Sequence, residues 1–272
     1  NEQTRMQARG IAVRELEEIQ AYVAAERILR DIVAREPRAS ISLAHFLGKH
    51  GNLDEAFELL EQSRKSQPLL TIIQTGVDIV RRRQQEAGKQ HFAKIESWMG
   101  AANDEEANSP TMQLHRAEML DIQGKTADVI STYRQLYNQA GLQHKQKAII
   151  ANNLSFVLAM SGDSNNAEEA LKLINEAIDV LGPASDLLDT RAVCYLLMGD
   201  TKQAIADAKA ALVDSPTPVK YLHLAIAEAT AGDKTAARES LNKARDAKLD
   251  VNALPAKERT FYDKLIQIVD AK

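Results

Sequence analysis

Apolar and small residues recur at helical spacing, in short runs broken by glycine, proline and polar turns. Ile72, Ile73, Val77 and Val80 mark one helix, and Phe92, Ile95, Trp98 and Met99 mark its partner. Near the C-terminus, Phe261, Leu265, Ile268 and Val269 predict a closing helix over Lys257 to Ala271. The clearest stretch is Leu196 to Pro216, read as a helix end, a tight turn at Gly199-Asp200, a second helix and a stop at Pro216. Gly199, Ala204, Ala211 and Pro216 follow one another at five, seven and five residues.

The same spacing returns along the chain. The turn glycines Gly51, Gly124, Gly162, Gly199 and Gly232 lie 73, 38, 37 and 33 residues apart. The first gap is about twice the others, so it hides one unit, and the period is near ~34 residues. Ala192, Gly199, Ala204, Ala211 and Pro216 form one complete set of small, turn and stop residues. Ala225, Gly232, Ala237 and Ala244 repeat it with Leu249 in place of the proline, and Ala44, Gly51, Ala56, Ser63 and Pro68 give an earlier copy. On these residues the chain resembles the tetratricopeptide repeat family over roughly residues 2–250, in seven units. The resemblance implies an all-α solenoid of about seven stacked helical hairpins, wound as a right-handed superhelix with its first helices lining a concave face. The turn glycines are expected in the left-handed conformation. The closing helix is expected to cover the apolar face of the last hairpin.

The copies are uneven. In the first, Ala25, Ile32 and Pro37 keep the spacing but Gln20 replaces the turn glycine. Leu69 to Ala107 is degenerate, with Arg83 where a turn glycine is expected, and Asn103 to Pro110 is polar with a Ser-Pro break. Two regions are therefore expected, 1–108 and 109–272, within an array that could also be continuous. The fourth unit carries Ala117, Gly124, Tyr133 and Leu136, with Val129 where a small residue belongs. The fifth has Leu154, Gly162, Ala170 and Ala177, plus extra turn residues Ser164-Asn165-Asn166.

Composition narrows the job. Net charge is −4 and the pI about 5.9, which speaks against a general nucleic-acid binder. Arg81, Arg82 and Arg83 point about 100° apart on a helix and form no single patch. A single cysteine, Cys194, excludes an internal disulfide, and its apolar neighbours predict an inert buried thiol. No run is long and apolar enough for a membrane span, and no signal peptide is visible. The chain begins at Asn1 without Met and reads as an excised fragment or a processed chain. Its compartment, cytoplasmic or periplasmic, stays open.

No glycine-rich phosphate loop, His-Glu-x-x-His or metal-binding Cys pair occurs, so no catalysis, cofactor or metal is expected. His45 and His50 are five residues apart and off a common helix face. Asn153-Leu154-Ser155 fits a glycosylation sequon but falls mid-helix. The remaining candidate is the groove that the resemblance implies. On that register Thr111, Leu114, His115 and Glu118 face it from the fourth unit, and Ile149, Asn152, Asn153 and Phe156 from the fifth. Asp186, Asp189, Thr190 and Val193 follow from the sixth, and Val219, Leu222, His223 and Ile226 from the seventh. Asn152 and Asn153 would hold an extended backbone, Phe156 an apolar side chain, and Asp186 and Asp189 cationic groups. Members of the family that clamp the C-terminal carboxylate of chaperones use Lys, Asn, Asn, Lys and Arg at the positions where this chain has Leu114, Glu118, Asn153, Asp186 and Thr190. Only Asn153 fits, so an anionic tail would be repelled. The expected function is a non-catalytic scaffold for a protein or peptide partner. The alternative is a regulatory or accessory segment of a larger enzyme or of a secretion or assembly apparatus.

Overall fold

A one-carbon side chain lets two helix axes approach closely, and alanine is also the strongest helix former. The chain uses both properties at a fixed spacing. The computed structural model describes residues 2–270, with side chains from residue 8 onward. It contains α1 (Glu2–Glu18), α2 (Tyr22–Arg35), α3 (Ser40–His50), α4 (Leu53–Ser63), α5 (Leu69–Arg82), α6 (Lys89–Gly100) and the short α7 (Asp104–Ala107). There follow α8 (Pro110–Ile122), α9 (Thr126–Tyr137), α10 (His144–Ser161), α11 (Ala167–Leu181), α12 (Ser185–Leu197), α13 (Thr201–Asp214), α14 (Pro218–Thr230), α15 (Lys234–Asp246) and α16 (Ala256–Asp270). No strand occurs among the described residues. The chain divides into two compact units, 1–115 and 116–272, with the boundary inside α8.

Within each unit, helix pairs pack on the next pair. α2 and α5 lie on α3 in the first, and α12 lies against α10, α11 and α14 in the second. This is the solenoid arrangement. The small residues of the repeat sit at the contacts: Ala25, Ala44, Ala56, Ala117, Ala170, Ala204, Ala211, Ala225, Ala237 and Ala244 are fully buried. Val129, the large residue in a small position, is buried as well.

Four turn glycines behave as expected. Gly124, Gly162, Gly199 and Gly232 have φ of 71°, 72°, 78° and 88°. At Gly199 the amide of Asp200 donates to Tyr195 O (2.9 Å) and that of Gly199 to Leu196 O (3.0 Å), the paired bonds of a Schellman turn. The Asp200 side chain then accepts from Gln203 N (3.1 Å) and starts α13. Gly51 departs from the expectation, with φ −126° and ψ −141°. It only ends α3, and Asn52 Oδ1 caps α4 by accepting from Glu55 N at 3.0 Å. The extra residues at 164–166 form a single 3-10 turn before α11.

The degenerate third unit is densely packed. Ile72, Ile73, Val77, Val80, Ile95 and Trp98 are buried, and Trp98 donates its indole N–H to Glu61. Its small residue is Gly76, where a Cβ would come within 2.9 Å of Trp98. Arg83 is not left-handed (φ −115°); its guanidinium reaches back to Gly48 O (3.2 Å) and pairs with Glu86. A side chain thus satisfies a helix-end carbonyl that a turn would otherwise leave to water.

The closing helix is present as α16, and its expected end at Ala271 lies outside the described residues. Leu265 and Val269 pack with Leu222 and Ala225 of α14 and Ala237 and Leu241 of α15. α16 also touches α10. It therefore reaches beyond the last hairpin, and residues of α14 assigned to the groove (Val219, Leu222, Ile226) belong to the same packed core as its Leu265 and Val269.

Candidate partner groove

The candidate residues of the C-terminal unit come from α8, α10, α12 and α14. On α10, Asn152 and Asn153 are partly buried, and Asn152 Nδ2 donates to Asn153 Oδ1 at 3.2 Å. Asn152 Oδ1 is buried without a hydrogen-bond partner from the protein. Phe156, one turn further along, is partly buried with its ring centroid 6.1 Å from that of His223. Glu118 is partly buried on α8 and engaged with its neighbours. His115 is likewise partly buried and engaged, but it is the last residue of the N-terminal unit.

The acidic residues on α12 have different surroundings. Asp186 is 86% exposed and lies 2.6 Å from Nζ of Lys220. Lys220 is itself buried and also donates to Ser185 Oγ (2.8 Å) and Ser215 O (3.1 Å). Asp189 is buried, with its two carboxylate oxygens 3.0 and 2.9 Å from Nδ1 of buried His223. The cation that Asp189 faces is therefore internal. Burial alone would pull the His223 pKa down, but Asp189 and, more weakly, Glu258 prevail and push it up to about 9.

Glu258, on α16, had no signature in the sequence. It is buried, and its Oε2 has no hydrogen-bond partner, as is true of His223 Nε2. Burial pushes its carboxyl above the ordinary range; Asp189 and Asp121 push the same way and His223 opposes them. Beside this cluster lies a cavity of about 290 Å³ with mostly apolar walls, among them Met160 of α10, Val193 and Leu197 of α12, His223 and Ile226 of α14, and Phe261 of α16.

Other sequence candidates resolve into structural roles. Cys194 is fully buried and 3.1 Å from Ser155 Oγ; burial pushes its thiol up to about 12, which keeps it protonated. Ser155 of the sequon is buried in α10, its hydroxyl donating to Ala170 O at 2.7 Å. His50 bonds Glu17 at 3.0 Å and stacks on Tyr22. Among the described residues, no three His, Cys, Asp or Glu are grouped to hold a metal ion, and no helix is long and apolar enough to cross a membrane.

No family model and no curated protein sequence matches this chain. Solved structures do. A tetratricopeptide repeat protein from Parabacteroides merdae aligns with 97% of this chain and 98% of its own, at 14% identity and a TM-score of 0.64. A thermophilic TPR protein of Thermus thermophilus aligns over 71% of this chain and 98% of its own, at 17% identity and 0.53. A chain of the APC/C hetero-tetramer Cut9–Hcn1 aligns over 92% of this chain and 50% of its own, at 14% identity and 0.55. The chain has the tetratricopeptide-repeat fold.

Proposed function

We propose, from the tetratricopeptide-repeat fold as premise, that this chain is a non-catalytic interaction scaffold that holds an extended protein or peptide segment. The observation that carries the reading is the surface of α10. Two adjacent amides, Asn152 and Asn153, stand one helical turn from the partly buried Phe156, whose ring centroid lies 6.1 Å from that of His223 in the wall of the apolar cavity. Amide side chains offer both donors and acceptors to a peptide backbone, and a partly buried aromatic ring is a typical binding anchor. Asp186, exposed on α12, is offset locally by Lys220. The partner segment is therefore neutral or mildly basic rather than acidic.

The test is calorimetric titration of a partner captured with the intact chain. Phe156→Ala should weaken binding by about 2 kcal/mol or more, because desolvated aromatic anchors carry a large share of binding energy. Asp186→Lys should act mainly on the association rate and its salt dependence. Both variants should keep the wild-type circular dichroism. Unchanged affinity in both would move the site away from α10 and α12, and loss of helicity in Phe156→Ala would make that residue core.

A further inference from the structure

The closing helix is held differently along its length. Its C-terminal half is tightly packed: Leu265 and Val269 are buried against α14 and α15, and Arg238 of α15 donates to Val269 O. Its N-terminal half is held by Tyr262, packed against the core, and by Arg259, whose guanidinium donates to Asn252 O (3.1 Å), but it also carries Glu258 and Phe261, which fit less well. Phe261 borders the 290 Å³ apolar cavity rather than filling it, so the walls contributed by α10, α12 and α14 lose contacts that a fitted side chain would make. Glu258 is 4% exposed, yet its Oε2 has no partner, and neither does Nε2 of buried His223. Buried polar atoms without partners carry their full desolvation cost. The titratable groups acting on Glu258 are His223 of α14, Asp189 of α12 and Asp121 of α8, two of them carboxyls like itself.

We propose that the N-terminal half of α16 is a pH-operated latch over the face made by α10, α12 and α14, seated while Glu258 is protonated and lifted when it ionises. A seated carboxylate would be stripped of water next to Asp189 and Asp121. The His223 cation already has both Asp189 oxygens on it and offsets the new charge only in part. The direction follows from the sign of both shifts. Glu258 is raised in the folded state, so its contribution to seating is complete below the ordinary carboxyl value of about 4.5 and is lost only as pH rises through its higher, folded-state range. His223 acts in the same sense. Its cation supports seating fully below about 6.5 and is lost through about 9. Lifting would uncover Ile226, Val193 and the cavity while Leu265 and Val269 keep the helix attached. Access to this face would thereby depend on pH.

Hydrogen exchange of the full chain, corrected for intrinsic rates, tests the latch. Between about pH 5 and about pH 9, protection of residues 256–262 should fall by about tenfold or more relative to α13 of the same unit. Glu258→Gln keeps the shape and removes the charge, and should shrink this difference to the part His223 contributes as it deprotonates near 9. The latch is overturned if residues 256–262 and α13 lose protection in parallel in the wild type, or if the extra loss is undiminished in Glu258→Gln. Should that variant not fold, the wild-type comparison decides alone.

Discussion

At the scale of single residues, the imidazole of His223 meets opposite conditions at its two nitrogens. Nδ1 lies at 2.9 and 3.0 Å from the Asp189 oxygens, whereas Nε2 meets no protein acceptor. Burial penalises the cation and the adjacent carboxylate stabilises it; at this distance in a low-dielectric site the carboxylate wins. The wild-type ring should therefore stay protonated through neutral pH and titrate near 9 in an NMR experiment on its Cε1–H. Asp189→Asn removes the stabilising charge and leaves burial in place, so the same signal should then titrate below the ordinary value of about 6.5. A wild-type midpoint near 6.5 would show that the pair is not formed in solution. The sequence places Asp189 and His223 at groove positions but does not show that they satisfy each other. That pairing depends on the approach of α12 to α14, and the part of Glu258 depends on the path of the chain after Leu254. Neither leaves a local signature.

At the scale of elements, the turns separate residue type from backbone need. Gln20 has φ 60° and Lys248 φ 63°. The amides of Ala21 and Leu249 bond Leu16 O (2.8 Å) and Ala244 O (3.0 Å), the same pattern as at Gly199. The substitution that marked the first unit as degenerate therefore leaves its turn intact, and Gly51, which matched the motif, makes a different one. A left-handed residue with a Cβ costs roughly 1–2 kcal/mol, while glycine costs roughly 0.5–1 kcal/mol in chain entropy. Gln20→Gly should thus gain about 0.5 kcal/mol in urea unfolding, and Gly199→Ala should lose about 1 kcal/mol. Nothing lies within 4 Å of a Cβ built on Gly199, so that loss is a backbone effect. Destabilisation by Gln20→Gly would contradict the turn geometry. The alanine spacing made the helix pairs legible because helix contacts need small residues at fixed local intervals. The third unit was less legible because it meets the same requirement with Gly76 and with Arg83 reaching Gly48 O.

At the scale of the whole molecule, repeat architecture fixes how stability is shared. Each helix pair buries its apolar face mainly against its immediate neighbours, so a long array need not unfold in one step. This chain offers a direct probe, because it has one tryptophan. Trp98 is buried in the N-terminal unit against Phe57, with ring centroids 5.7 Å apart, and reports on that unit alone. Circular dichroism reports on the helices of both units. The core around Trp98 is built from large side chains, Phe57, Leu60, Ile72, Ile73 and Ile95, all fully buried. In the C-terminal unit the pairs α12–α13 and α14–α15 instead rely heavily on alanine contacts, Ala204, Ala208, Ala211, Ala225, Ala237 and Ala244, whereas α10 and α11 bury large residues such as Ile150, Leu154 and Ile174. Large side chains bury more apolar area per residue, at about 25 cal/mol per Å². The tryptophan signal should therefore persist to higher urea than the first loss of helicity. A single coincident transition in both signals, with one slope, would mean that the two units unfold as one cooperative body.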